Sequence, residues 1–270
     1  MTESQAGTLL NRAVDLGLNL VDTARGYGLA EERIGRHLAY RRQDVVLVSK
    51  CGYSVPGTED WTHACITQGI DLALRQMRTD FLDVMLLHSC PLETLQRPGV
   101  IEALEEAQAA GKVRAIGYSG ENADLEYALK TGRFGVIETS VNVFDQRFLT
   151  RILPLVESSA VGVIAKRPLG NAPWRFADRP VGQYAETYWE RMQEMSLKDM
   201  LEAANLEWAE AALRFSAFAP GVDCAIAGTG SLENLQQNIH LVNRGPLEVA
   251  LVQAMRARFT ANDRDWVGQV

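Results

Sequence analysis

The sequence predicts an α/β fold built from repeated strand–helix units, and three observations carry that expectation. Short apolar runs of strand length recur along the chain, each separated from the next by a segment with apolar residues at helical spacing. Three of the early runs end in an ionisable residue: Asn19–Asp22 in an acid, Val45–Lys50 in a lysine and Val84–His88 in a histidine. The length of 270 residues, with 47% hydrophobic and 23% charged, suits a single domain over 1–270, because repeated strand–helix domains commonly run to about 250 residues. In parallel arrangements the C-terminal strand ends share one rim, where active sites form. Asp22, Lys50 and His88, with Tyr27 five residues beyond the acid, are therefore expected to converge.

The elements follow in order. Residues 5–16 place Leu9, Leu10, Ala13, Val14 and Leu16 at helical spacing and stop at Gly17. A strand at 18–22 leads to a helix at 30–40, whose first turn holds Glu31 and Glu32, where negative charge suits the helix dipole. Strand 45–50, a Gly- and Pro-containing loop, helix 61–77 and strand 84–88 come next. Helix 100–110 ends at Gly111, a natural C-cap, followed by strand 113–118, a helix over about 123–130 and strand 136–140. Helix 148–157 and strand 162–166 precede a long excursion, 169–197, containing Trp174, Tyr184, Tyr188 and Trp189. Loops of that length usually serve function or cover something. Helix 200–216, strand 224–227, a helix from Ser231 and an amphipathic segment at 247–259 complete the chain. Seven strands are counted. A closed eight-stranded barrel needs one more before Gln5, which four residues cannot supply, so either the barrel is one strand short or the chain begins upstream of Met1.

Composition narrows the partners. A net charge of −7 without a basic stripe argues against a nucleic-acid partner. No apolar run approaches the ~20 residues of a membrane span, and the N-terminus lacks a secretory profile, so a cytoplasmic location is expected. Cys51, Cys65, Cys90 and Cys224 show neither CxxC pairing nor zinc spacing and read as reduced structural thiols; no catalytic metal is expected.

The chain resembles the aldo-keto reductases from about residue 5 to residue 243. The resemblance rests on Asp22-Thr23-Ala24 with Tyr27-Gly28, Ser49-Lys50, Leu87-His88, Gly111-Lys112-Val113-Arg114-Ala115-Ile116-Gly117-Tyr118-Ser119, and Gly228-Thr229 with Asn238. It implies a TIM (β/α)8-type barrel, here without its first strand, and reversible reduction of an aldehyde, ketone or sugar carbonyl by a nicotinamide cofactor. Hydride delivery to a carbonyl creates an alkoxide, so the site needs a proton donor and stabilising positive charge. Tyr27 is the expected donor, although an ordinary phenol with a pKa of about 10 is a poor acid–base group near neutrality. An adjacent ammonium lowers that value, which is the role implied for Lys50. Asp22 would hold Lys50, and His88 would orient the substrate oxygen. Taken singly, each has a bland reading as turn cap, loop packing, outward-reaching lysine or core histidine; their placement on three successive strand ends favours the catalytic one.

The cofactor side departs from the family pattern. Ser119 is kept but Gly120 stands where Asn is usual, and Glu138 stands where Gln is usual. An ionised carboxylate accepts from a carboxamide NH2 but cannot donate to its carbonyl. Lys166 occupies the place of a stacking aromatic, in the run Ala165-Lys166-Arg167-Pro168-Leu169. Lys166 cannot stack; it pairs with Glu138 if the two strand ends are neighbours, or Lys166 and Arg167 face the cofactor pyrophosphate or stand as solvated rim charges. Gly228-Thr229-Gly230-Ser231, opening a helix, suits backbone contacts to phosphate. Gly228 and Asn234 are uncharged where NADP-preferring relatives place cations, so NADP is favoured by family habit alone and NAD stays open. Cofactor contacts are expected from Ser119, Glu138, Lys166, Arg167, Leu169, Gly228, Thr229, Ser231, Asn234 and Asn238. A catalytically weak regulatory or sensor barrel that binds cofactor is the alternative function, and a monomer or weak homo-oligomer is the expected state.

Overall fold

Local chemistry sets the first elements of the computed structural model, which describes residues 1–270. Thr2 and Gln5 form a reciprocal capping box, Thr2 N–H donating to Gln5 Oε1 at 2.8 Å and Gln5 N–H to Thr2 Oγ1 at 3.3 Å. These bonds satisfy amides that no helical carbonyl can reach. Helix α1 (Glu3–Asp15) then runs to Gly17, which turns with φ +92°. Strand β1 (Leu20–Asp22) is short, and α2 (Ala30–Leu38), β2 (Val46–Cys51), α3 (His63–Met77) and β3 (Leu82–His88) follow. After the one-turn α4 (Leu92–Leu95) come α5 (Val100–Ala109), β4 (Val113–Ser119), α6 (Asn122–Lys130) and β5 (Val136–Ser140). The remaining elements are α7 (Leu153–Glu157), β6 (Gly162–Lys166), α8 (Glu186–Met195), α9 (Lys198–Ala203), α10 (Trp208–Ala217), β7 (Cys224–Ala225), α11 (Leu232–Asn243) and α12 (Val249–Asn262). No helix is long and apolar enough to cross a membrane.

All seven expected strands are present, and they stand in sequence order in one sheet. The register pairs Asp22 with Val48, Lys50 with Leu86, and His88 with Ser119, all in parallel. Those pairings place the ionisable strand ends on the same side of β1–β4. Val48, Met85, Leu86 and Leu87 are fully buried, as expected of parallel strands covered on both faces. The helices approach closely where glycine allows it. A Cβ on Gly35 of α2 would lie 2.0 Å from the Gln76 carbonyl oxygen in α3, so only a hydrogen fits.

The chain divides into two compact units, residues 1–137 with 229–235, and residues 138–228 with 236–270. In the second unit three expectations change. The helix predicted over 200–216 is broken between α9 and α10, where Asn205 takes a left-handed conformation with φ +51° and Leu206 N–H returns to the Leu201 carbonyl at 3.0 Å. Asn tolerates that backbone better than most residues, whereas apolar periodicity passes over it. The helix predicted over 148–157 opens with a π-helical turn at Phe148–Ile152, and Pro154, which has no N–H to donate, sits in the first turn of α7. Within the excursion 169–197, residues 186–195 form α8.

Candidate active site

Asp22 ends β1 and Lys50 stands near the end of β2. The Lys50 ammonium donates to Asp22 Oδ1 at 2.6 Å, to Oδ2 at 2.7 Å and to the Thr23 carbonyl at 3.1 Å. With the Lys50 side chain wholly inaccessible, these oxygens replace the water it lost on burial. Tyr27 follows in the loop after β1. Its ring centroid is 5.4 Å from Lys50 Nζ, and its ring meets the His88 imidazole edge-on at 5.8 Å, with an interplanar angle of 86°. Half of the Tyr27 surface is open to solvent. All four expected catalytic residues are thereby gathered within the first unit.

The loop that carries Tyr27 is held from below. Arg25 pairs with Glu31 of α2 and donates to Gln76 Oε1 of α3 at 2.6 Å. Glu31 in turn accepts from Ser49 Oγ at 2.7 Å, and it is only 3% exposed. Burial holds the Arg25 guanidinium below its ordinary pKa, with Glu32 opposing that shift. The sequence reading missed this clamp; the one signal was an arginine between the acid and the tyrosine.

Tyr53 was missed as well. It lies three residues beyond Lys50, and its phenol oxygen is 2.6 Å from Nδ1 of His88, the two rings stacked at 5.4 Å with an interplanar angle of 26°. An aromatic residue close behind a strand-ending lysine was its only signal.

Ser119 is fully buried beside His88 in the β3–β4 register, and its carbonyl accepts from Ser89 N–H at 2.7 Å. Gly120 has a steric cause. A Cβ there would lie 2.5 Å from the ring of Tyr118, whose hydroxyl donates to the Cys90 carbonyl at 2.8 Å. Ser231 spends its polar groups locally, its N–H donating to Thr229 Oγ1 at 3.0 Å and its Oγ accepting from Asn234 N–H at 3.2 Å at the start of α11. Asn234 is exposed.

In the second unit Glu138 is 2% exposed on β5, and Lys166 is half-buried at the end of β6. Arg167 follows with φ +53° and donates to Ser140 Oγ at 2.9 Å and to the Gln269 carbonyl at 2.6 Å. The Leu169 carbonyl accepts from Ala172 N–H at 2.8 Å. Gly228 is exposed, and Asn238 lies half-buried on α11.

Two buried polar atoms bear on whether a nicotinamide dinucleotide suits these residues. Thr23 Oγ1, next to Asp22 in the first unit, and Asn142 Nδ2, just after β5 in the second, make no hydrogen bond within the protein. Buried polar atoms are ordinarily satisfied, and each unit taken by itself offers a buried group, a hydroxyl in the first and an amide donor in the second, of the kind that pairs with the polar groups of such a cofactor. The residues present fit the group.

Comparison with known proteins agrees. An aldo-keto reductase from Bacillus halodurans, solved in its holo form, superposes with a TM-score of 0.81 at 26% identity, over 95% of this chain and 88% of that one. An aldo-keto reductase from Klebsiella pneumoniae in complex with NADPH gives a TM-score of 0.73 at 26% identity, over 95% and 86%. Among sequence relatives, the uncharacterised oxidoreductase YqkF of Bacillus subtilis is 29% identical over 273 residues, 94% of this chain and 88% of that protein. The fold is of the (β/α)8-barrel type with seven strands, and the family match with these relatives marks an NAD(P)-dependent oxidoreductase. The chain belongs to the aldo/keto reductase family, whose model matches residues 1–257.

Proposed function

We propose that the protein reduces the carbonyl of an aldehyde, ketone or sugar, reversibly, with Tyr27 as proton donor. The observation that carries this reading is the Asp22–Lys50 pair beside the Tyr27 ring, with His88 on the same ring's edge. A bound NADPH or NADH supplies the hydride for the carbonyl carbon. Tyr27 Oη gives its proton to the carbonyl oxygen, and the Lys50 ammonium stabilises the phenolate that remains. Asp22 neutralises Lys50 and fixes its position. His88 donates a hydrogen bond to the same substrate oxygen and thereby selects its orientation.

Ser119 and Thr229 of the first unit, with Ser231 and Asn234, are proposed to contact the cofactor. Glu138, Lys166, Arg167, Leu169, Gly228 and Asn238 of the second unit are proposed to do so too. NADP is the proposed preference by the family's habit alone, and NAD is accepted as well because Gly228 and Asn234 offer a 2′-phosphate no cation. Four free cysteines accord with a reducing cytoplasmic compartment.

The test pairs binding with turnover. NADPH and NADH are titrated against quenching of the five tryptophans, and reduction of a nitrobenzaldehyde is followed in the wild type and in Tyr27→Phe. Saturable quenching in both proteins, with turnover lost by at least about a hundredfold in the variant, supports the assignment. Undiminished turnover in Tyr27→Phe removes the proton-donor role, and a folded protein quenched by neither nucleotide removes the reductase reading.

A further inference from the structure

His88 can orient a substrate oxygen only if the ring nitrogen that faces it carries a proton, and nothing in the imidazole alone secures that. The two nitrogens share one proton in the neutral ring, and the partner of one decides the state of the other. Here the partner is visible. Tyr53 Oη lies 2.6 Å from His88 Nδ1. A phenol is the better donor and an imidazole nitrogen the better acceptor, since their ordinary pKa values are about 10 and about 6.5. The bond therefore runs from Tyr53 O–H to Nδ1, which leaves the imidazole proton on Nε2.

The loop behind Tyr53 is built to hold that phenol in place. Trp61 N–H donates to the Gly52 carbonyl at 2.6 Å, and a Cβ on Gly52 would lie 2.1 Å from the Trp61 ring, at a backbone φ of +131° that favours glycine. Trp61 also meets the Tyr53 ring at 5.8 Å, tilted by 64°. Ser54 N–H donates to Asp60 Oδ1 at 3.0 Å, closing the loop across its base. Tyr53 thus packs against both the Trp61 ring and the stacked His88 ring.

We propose that Tyr53 is a positioning residue that locks His88 in the Nε2–H tautomer, so that the imidazole presents a donor rather than a lone pair to the substrate carbonyl oxygen. The proposal rests on the reductase reading for its catalytic consequence, but the lock itself is a property of the protein without substrate. Removing the Tyr53 hydroxyl takes its donor away from Nδ1, and any proton that moves to Nδ1 leaves an Nε2 lone pair that repels the developing alkoxide. A hydrogen bond that strengthens as that charge forms acts on kcat more than on KM.

The experiment is side-chain nitrogen NMR of the wild type and of Tyr53→Phe above the imidazole titration, at about pH 8.5. Four histidines give four resolved pairs of nitrogen signals, with His37, His63 and His240 reporting that the variant is folded. The wild type is expected to hold His88 as a single Nε2–H tautomer, and the variant as a mixture. Turnover of the same carbonyl should show kcat lower by about tenfold, with KM changed by less than about twofold. A wild-type His88 protonated on Nδ1, or the same tautomer population in both proteins, overturns the proposal. So does an unchanged kcat in a variant whose tautomer has shifted. A wild type that shows the lock yet reduces no carbonyl counts against the reductase reading, so the two failures are distinguishable.

Discussion

Lys50 is held by both carboxylate oxygens of Asp22, at 2.6 and 2.7 Å, with none of its side chain open to water. The pair joins neighbouring strands two positions out of register, since Asp22 is level with Val48. Removing one partner strands a buried charge, which typically costs several kcal/mol, whereas replacing both can be nearly neutral. Asp22→Ala is expected to destabilise the protein by about 3 kcal/mol in denaturant unfolding and to abolish reduction. The double variant Asp22→Ala/Lys50→Met should recover much of that stability and none of the activity. Additive losses would show that the two residues do not act as a pair.

The clamp under the Tyr27 loop makes a second prediction. Glu31→Ala leaves the Arg25 guanidinium without its carboxylate and the Ser49 hydroxyl without its acceptor. A loss of about 3 kcal/mol is expected. Because Arg25 lies two residues from Tyr27, kcat should fall while NADPH affinity stays within about threefold. Unchanged kcat in the folded variant would separate the clamp from catalysis.

Asn234 and Gly228 carry no charge for a 2′-phosphate. Asn234→Arg, in the first turn of α11, adds a fork suited to phosphate oxygens. It should raise the preference for NADPH over NADH by about tenfold in fluorescence titrations. An equal change for both nucleotides would place residue 234 away from the 2′ position.

The thiols predict a pH dependence. Burial, reinforced by nearby Asp124, pushes the Cys90 thiol up to about 12, and burial with neighbouring Cys65 raises Cys51 further. The native state thus keeps protons that the unfolded chain releases near the ordinary thiol value of about 8.5. Stability from this source is intact below that value and declines as pH rises from it toward about 12. The midpoint of urea unfolding should fall over that interval, and less so in Cys90→Ala. A thiol-specific disulfide reagent at about pH 8 should label Cys224, which is half-buried, well before Cys51, Cys65 or Cys90, which are buried. Rapid labelling of all four in the native protein would contradict the packing around them.

Gly35 tests the packing behind the site. Gly35→Ala brings a methyl within 2.0 Å of the Gln76 carbonyl oxygen. A backbone atom cannot rotate away, so α2 and α3 must separate, at a cost of about 2–3 kcal/mol. The same shift moves Gln76, a partner of Arg25, so thermal denaturation and kcat should both register it. A wild-type midpoint would mean the helices part freely.

The alternation of strands and helices, and the rim positions of Asp22, Lys50 and His88, were legible in the sequence. Short continuous apolar runs and helical stripes are local properties, and parallel strands deliver their last residues to one edge whatever else the chain does. Motif residues in fixed order then pointed to the family. The tertiary structure decided what surrounds them. Gly120 follows from the Tyr118 ring, and Arg167 is directed to Ser140 and Gln269, 102 positions away in sequence in the latter case. Asn205 breaks a helix that periodicity carried through, because a single left-handed residue does not disturb the apolar pattern on either side. Tyr53 and Arg25 act through partners 35 and 51 positions distant, His88 and Gln76. Hydrogen bonds depend on distances of a few tenths of an ångström between such partners, and side-chain identity along the chain does not specify those distances until the helices and strands have packed.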